Sequence, residues 1–111
     1  MSQHIHQTTC KGVAVDVIMG WDRRLSHFHM TVVRTKPPRR GDGVLYSNLH
    51  ERNAFALGLE DYAARLANLG ISVPTSLIDA VRQDQADNAG NRVVRYLAGG
   101  SLVPEPNQHT V

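Results

Sequence analysis

Two histidines, His27 and His29, have the spacing in this sequence that most directly suggests chemistry. In a β-strand, residues two apart point to the same face, so the two imidazoles would stand side by side, as they do in several metal sites. A metal site needs at least a third ligand. His50, Glu51 and Asp42 are candidates, although no spacing rule brings them to the pair. The pair is therefore a candidate metal site without an evident third ligand, and no cofactor is predicted.

The neighbours of these histidines favour a structural interpretation instead. Phe28, Met30 and Val32 alternate with them, which is the pattern of a strand with one apolar face. If the apolar face packs on the core, His27 and His29 lie on the opposite, solvated face. The face that the helices cover therefore decides whether the imidazoles are exposed or buried.

The segment Trp21-Asp22-Arg23-Arg24 lies between two predicted strands, at the tip of a hairpin. It contains the only tryptophan of the chain, beside an acid and two guanidinium groups. Because Trp and Arg are frequent interface anchors, these four residues are a candidate binding surface. The alternative is that Trp21 tucks under the hairpin and that Asp22 accepts hydrogen bonds from its own turn.

The densest run of positive charge is Arg34, Lys36, Arg39 and Arg40, four cations within seven residues. On a loop that contains two prolines, they could hold a phosphate backbone, so they are a candidate nucleic-acid site. Nucleic-acid modules usually add aromatic platforms or a recognition helix, and no aromatic residue falls in this loop. The pattern therefore favours a solvated loop over a nucleic-acid contact.

No combination of residues indicates nucleophilic catalysis. The single cysteine, Cys10, and the serines have no base partner that the sequence makes visible. The segment Gly41-Asp42-Gly43 lacks the further glycine and the lysine of a phosphate-binding loop. We therefore predict no catalytic residue and expect a binding protein rather than an enzyme.

Four segments have the two-residue alternation of β-strands. They are residues 11–19, 27–33, 44–46 and 92–97. The first two are joined by the short polar segment that contains Trp21, which predicts an antiparallel hairpin. Pro37 and Pro38 end the second strand before the third begins. Residues 47–56 fit either a loop or a short helical turn.

Two segments before the last predicted strand have helical periodicity. The apolar stripe of the first consists of Leu59, Tyr62, Leu66 and Leu69. Gly70 is placed to end this helix, and Pro74 marks the start of the second. The second helix is expected to end by Asn88, with Gly90 as the stop. The order β-β-β-α-α-β predicts an α+β fold, an antiparallel sheet with two helices packed on one face.

Length and composition predict one folded unit. A chain of 111 residues, 41% hydrophobic and 20% charged, can bury one modest core. We assign a single domain to residues 10–98, a flexible N-terminus to residues 1–9 and a disordered tail to residues 99–111. One cysteine allows no intrachain disulfide, and no apolar run approaches the roughly 20 residues that span a membrane. The expected location is the cytoplasm, without membrane contact.

Charge is divided unevenly along the chain. Residues 1–46 contain 7 Lys and Arg against 3 Asp and Glu, a net charge of +4. Residues 47–111 contain 5 against 7, a net charge of −2. The division indicates either an anion-facing surface on the first half, or two halves that attract each other within or between subunits, or ordinary solubilising charge.

Several short motifs are distributed over residues 17–95. They are Gly20-Trp21-Asp22-Arg23, Phe28 and Met30, Tyr46-Ser47-Asn48-Leu49, residues 62–71 with Pro74, and Gly90-Asn91-Arg92. Together they resemble a family of short bacterial proteins of unknown function. That family has a proline where this chain has Arg24. The resemblance implies a recurring bacterial domain and brings no activity, substrate or catalytic residue with it.

The preferred hypothesis is a small binding or adaptor domain that acts through a protein partner or by self-association. The small size, the lack of a catalytic set and the expected open edge of the sheet motivate it, because an unpaired edge strand can receive an added strand. One alternative is nucleic-acid binding through residues 34–40. The other is a small metal-dependent protein that uses His27 and His29.

Overall fold

A five-stranded sheet and two helices make up the part of the chain that the computed structural model describes, residues 1–36 and 43–103. The strands are β1 (Ser2–Cys10), β2 (Val13–Asp22), β3 (His27–Arg34), β4 (Val44–Ser47) and β5 (Arg92–Tyr96). The helices are α1 (Leu59–Asn68) and α2 (Thr75–Asp87), and two short 3₁₀ turns, Asn48–His50 and Ala54–Ala56, follow β4. The strand order across the sheet is β4-β3-β2-β1-β5.

The α+β prediction is confirmed, but the prediction of an antiparallel sheet is wrong because β5 runs parallel to β1. In the register of that pair, Ser2 lies opposite Arg92 and His6 lies opposite Tyr96. A parallel pair requires a long connection, and here the chain passes through three strands and both helices before it returns to β1. The other neighbouring strands pair antiparallel, so the sheet is mixed.

Residues 1–9, predicted to be flexible, instead contribute most of β1, which lies between β2 and β5. Lys11 and Gly12, both with positive φ, form the two-residue turn that joins β1 to β2. The sequence does not predict this strand, because its buried side chains include His4 and His6 and do not form an alternating aliphatic pattern. The order of elements is therefore β-β-β-β-α-α-β.

The two helices pack on one face of the sheet and form the hydrophobic core with it. The buried apolar residues of β2 and β3 on this face are Val15, Val17, Met19, Trp21, Phe28, Met30 and Val32. The helices contribute Leu59, Tyr62, Leu66, Leu77 and Val81. The Tyr62 hydroxyl also donates a hydrogen bond to the Phe28 carbonyl, with an O···O distance of 3.1 Å. The alternating apolar residues of β3 thus face the core, as predicted.

The ends of the two helices differ in how well the sequence predicts them. Gly70 adopts a φ of 72° directly after the last turn of α1, as its position suggests. At the end of α2 the left-handed residue is Asn88, with a φ of 48°, so Gly90 is not the residue that stops this helix. Neither helix of the described chain is long and apolar enough to cross a membrane.

Residues 101–103, predicted to belong to a disordered tail, instead return to the outer side of β5. Leu102 forms a β-bridge with Tyr96. The Val103 nitrogen donates to the Arg95 carbonyl at 2.9 Å, and a turn before it is closed by a hydrogen bond from Leu97 to Ser101 at 2.7 Å. These contacts cover the end of β5, while residues 104–111 lie outside the described residues.

Candidate functional site

A cleft of about 380 Å³ lies between the hairpin tip that joins β2 to β3 and the loop that joins α2 to β5. The residues that line it are Met1, Asp22, Arg23, Arg24, Gly90 and Asn91. The three hairpin residues belong to the binding surface that the sequence predicts. Gly90 and Asn91 were missed because the sequence signal there, a glycine after a helix, has a structural explanation as a helix stop. We call this feature the tip cleft.

Asp22 organises the hairpin tip. Its Oδ1 accepts hydrogen bonds from the backbone nitrogens of Arg24, at 3.0 Å, and Leu25, at 3.2 Å. This is the turn-stabilising role that the sequence suggested as the alternative to ligand contact. The two backbone donors offset part of the carboxylate charge at the edge of the cleft.

Trp21 is buried, with 7% of its surface exposed, so it is not the exposed recognition residue that one interpretation of the sequence expected. Its Nε1 donates to Asn88 Oδ1 at 3.1 Å, and its backbone nitrogen donates to Ser2 Oγ at 3.0 Å. Its ring packs edge-on against Phe28, with the centroids 5.1 Å apart. Trp21 therefore ties the hairpin tip to the end of α2 and fixes the distance between the walls of the tip cleft.

The guanidinium of Arg23 lies against the backbone of Gly90. A side-chain carbon built on Gly90 would be 3.3 Å from Cζ and from both Nη atoms of Arg23, so only glycine leaves this space fully open. Next to it, Asn91 Oδ1 accepts a hydrogen bond from the Met1 nitrogen at 2.5 Å. Neither Arg23 nor Arg24 forms an ion pair with any residue that the structure describes.

The two histidines of β3 lie on the face opposite the helices, but the expectation that this face exposes them is wrong. His27 and His29 are 6% and 9% exposed. The His29 Nε2 donates to the Ser2 carbonyl at 2.8 Å, and the His27 Nδ1 donates to the Phe28 carbonyl at 2.7 Å. Within residues 1–36 and 43–103, no group of three or more His, Cys, Asp or Glu side chains could hold a metal ion. Both imidazoles thus form hydrogen bonds with backbone carbonyl oxygens.

Burial lowers the pKa of His29 below its ordinary value of 6.5. The hydrogen bond to Ser2 and the charge of Asp22 oppose this effect, and the charge of His27 adds to it. Because the unfolded chain then binds a proton more readily than the folded one, the free energy of unfolding is expected to fall as the pH drops below 6.5. Urea unfolding at a series of pH values from 8 to 5, chosen to span about 1.5 units around that ordinary value, measures the slope.

A matched pair of variants isolates His29 from the other histidines. His29→Gln keeps an N–H donor for the Ser2 carbonyl but does not titrate, so it is expected to flatten the pH slope. His50→Gln, at an exposed position of the first 3₁₀ turn, serves as the control and is expected to keep the wild-type slope. An unchanged slope in His29→Gln would contradict the role of His29.

A buried polar network that the sequence does not reveal links β1, α2 and β5. His4 is fully buried, and its Nε2 donates to Asp84 Oδ2 at 2.6 Å while its Nδ1 lies 2.7 Å from the Tyr96 hydroxyl. The Arg92 guanidinium donates to the other oxygen of Asp84 at 3.3 Å. Burial raises the pKa of Tyr96, which keeps its hydroxyl protonated. Since His4, Asp84 and Tyr96 are all buried, their arrangement serves the packing of β5 and α2 on β1.

The two described cations of the basic run, Arg34 and Lys36, do not line the tip cleft. Arg34 ends β3 and Lys36 follows it, whereas the hairpin tip precedes His27 at the other end of this eight-residue strand. Arg34 is half-buried and Lys36 is exposed. Arg39 and Arg40 lie outside the described residues, so nucleic-acid binding through this loop stays a prediction.

Comparisons with known proteins do not assign the chain to a family: no family model, no curated protein and no solved structure matches it. The resemblance to short bacterial proteins therefore stays a prediction. The function has to be argued from the geometry of the chain itself.

Proposed function

We propose that the protein is a small binding domain that associates with a second copy of itself through the outer edge of β4. The observation that supports this proposal most directly is the character of that edge. β4 is the last strand of the sheet order, and among the described residues no strand pairs with its outer side. An unpaired strand offers backbone donors and acceptors to an added strand.

The residues of β4 do not protect this edge. The strand Val44–Ser47 contains no charged residue. Val44, Leu45 and the following Leu49 are 49%, 37% and 80% exposed. Exposed apolar side chains beside free backbone groups are the combination that favours pairing with another chain.

The opposite edge of the sheet is protected in two ways. β5 contains Arg92 and Arg95, and charged residues on an edge strand oppose the approach of a second strand. Residues 101–103 also cover the end of β5 through the Leu102 bridge and the Val103 hydrogen bond. The contrast between the two edges supports β4 rather than β5 as the edge that associates.

β4 is also held firmly enough to serve as a template. It pairs with β3 through Thr31 and Ser47 and through Val32 and Tyr46. The Tyr46 hydroxyl donates to Glu51 Oε2 at 2.7 Å, and the same oxygen accepts from Arg65 Nε at 2.8 Å. These contacts tie the edge strand to α1, so its outer side can be presented without rearrangement.

A second copy suits this edge because antiparallel pairing of β4 with itself around a two-fold axis places the same apolar residues opposite each other. No like charges would meet in such a pair, since β4 has none. The strand has only four residues, so the contact is smaller than a standard stable interface and the association is expected to be weak and concentration-dependent.

Sedimentation equilibrium tests the proposal. The wild-type mass is expected to rise with concentration from 12.3 kDa towards twice that value. Leu45→Lys places two like charges near the two-fold axis and is expected to raise the dissociation constant by at least about tenfold. Val93→Lys, an exposed apolar residue on β5, is the matched control and is expected to associate like the wild type.

Two outcomes would contradict self-association through β4. One is a wild-type protein that stays monomeric at every concentration tested. The other is equal weakening by Leu45→Lys and Val93→Lys, which would mean that the edge of β4 is not the contact.

A further inference from the structure

The geometry points to a second binding site: the tip cleft binds a phosphate monoester group through Arg23 and Arg24. This inference is independent of the proposed self-association. The cleft lies at the turn between β2 and β3, whereas β4 pairs with Thr31 to Val33 further along β3. Loss of one function therefore leaves the other measurable.

The first argument is that the two positive charges have no partner among residues 1–36 and 43–103. Arg23 and Arg24 are exposed, and neither guanidinium forms an ion pair or a side-chain hydrogen bond with the described residues. The other arginines near α2 behave differently, since Arg82 pairs with Asp79 and Arg92 pairs with Asp84. Unpaired guanidinium groups that line a concave surface are suited to an anionic ligand.

The second argument is that Arg23 lies against a wall of the cleft whose position is fixed before any ligand binds. Its guanidinium lies against Gly90, where a β-carbon would be only 3.3 Å away. The opposite wall is fixed because Trp21 Nε1 is hydrogen-bonded to Asn88 Oδ1, two residues before Gly90. A wall that is already positioned does not have to be ordered on binding, which favours affinity.

The third argument is the balance of charge and donors in the cleft. Asp22 contributes one negative charge, but its Oδ1 already accepts two backbone hydrogen bonds. With Arg23 and Arg24, the side chains keep a net positive charge. Asn91 uses Oδ1 to accept from the Met1 nitrogen, so its side-chain NH2 group is left as a further donor.

These groups match a phosphate monoester better than a carboxylate. Each guanidinium can present two parallel N–H groups. A phosphate monoester has three terminal oxygens and close to two negative charges, so it can bind both arginines at once. A carboxylate has two oxygens and one charge, which a single arginine satisfies. The volume of about 380 Å³ exceeds that of a phosphate alone and is in the range of small-molecule sites, so room is left for the group that carries the phosphate.

Titration of protein without an N-terminal extension tests the site, because Met1 lines the cleft. The phosphate probes are inorganic phosphate and phosphoserine whose amino and carboxyl groups are capped. Acetate is the carboxylate probe, and the ionic strength is kept constant. The fluorescence of Trp21, the only tryptophan, reports binding, and amide chemical shifts locate it. We expect saturable binding of the phosphate probes in the millimolar range or below, with shifts concentrated at Asp22 to Arg24 and at Gly90 and Asn91.

Each of two double variants removes two positive charges, one variant at the tip cleft and the other at the far end of β3. Arg23→Gln/Arg24→Gln is expected to weaken phosphate binding by at least about tenfold. Arg34→Gln/Lys36→Gln, at the other end of β3, is expected to leave it unchanged. Tighter binding of phosphoserine than of inorganic phosphate would assign the natural ligand to phosphorylated side chains, and the reverse order would contradict the assignment to a phosphate monoester.

Three further results would overturn the inference. The first is a lack of saturable binding by either phosphate probe. The second is an equal loss of phosphate affinity in the two double variants, which would mean that binding depends on the net charge of the protein and not on the tip cleft. The third is acetate binding as tightly as phosphate, which would remove the assignment to a phosphate monoester.

Discussion

Replacing Asp84 with alanine is expected to lower the free energy of unfolding by about 2–4 kcal/mol, because it leaves a buried donor on His4 without an acceptor and removes the hydrogen bond from Arg92. The Asp84 carboxylate is 1% exposed and accepts from His4 Nε2 at 2.6 Å and from Arg92 Nη1 at 3.3 Å. Without it, the fully buried His4 keeps an N–H group that neither water nor the protein satisfies. Since domains of this size are stable by only about 5–15 kcal/mol, the variant should be close to unfolding.

Urea denaturation followed by Trp21 fluorescence measures this effect. Asp79→Ala is the matched control: the residue lies on the same helix, is exposed, and pairs with Arg82 three residues later. Its substitution is expected to change stability by no more than about 0.5 kcal/mol. Asp84→Asn keeps an acceptor for His4 and should fall between the two. If Asp84→Ala is as stable as Asp79→Ala, the buried network does not hold β1, α2 and β5 together.

The sequence pattern predicts elements whose buried residues are apolar, and it misses elements whose buried residues are polar. The sequence predicts β3 because Phe28 and Met30 follow the two-residue alternation of a strand. It predicts α1 because Tyr62 belongs to an apolar stripe with helical spacing. β1 is missed because it buries His4 and His6, which are satisfied by partners about 80 to 90 residues away. Once β1 is missed, the parallel pairing of β5 cannot be predicted either, since β1 is its neighbour.

The sequence likewise predicts only one part of the candidate site. Arg23 and Arg24 can be picked out from the sequence because two cations at a hairpin tip are visible as a local pattern. The wall formed by Gly90 and Asn91 cannot be predicted in this way, because long-range contacts, which include the pairing of β5 with β1, bring it to the tip. Local spacing therefore identifies the charged groups of a site, while its depth and rigidity depend on long-range contacts such as that between Trp21 and Asn88.

Gly20→Ala is expected to destabilise the fold by about 2–5 kcal/mol, the sum of overpacking in a well-packed region and of a lost hydrogen bond. A β-carbon at residue 20 would lie 1.9 Å from the Ser2 carbonyl oxygen and 2.7 Å from His29 Nε2. Glycine thus allows the His29 side chain to cross β2 and donate to the Ser2 carbonyl at 2.8 Å. Because the closest atom is backbone, a side-chain rotation cannot relieve the overlap.

The strain at residue 20 should act first on the start of β1. The overlap pushes Ser2 away from β2, which also removes the Ser2 hydroxyl as acceptor for the Trp21 nitrogen. Amide hydrogen exchange of Gly20→Ala should therefore show lost protection near Ser2 and Trp21 before the rest of the sheet. Gly99→Ala is the control, because a β-carbon there meets no atom within 4 Å. Equal stability of the two variants would show that β1 does not need the crossing of His29 over Gly20 to stay in the sheet.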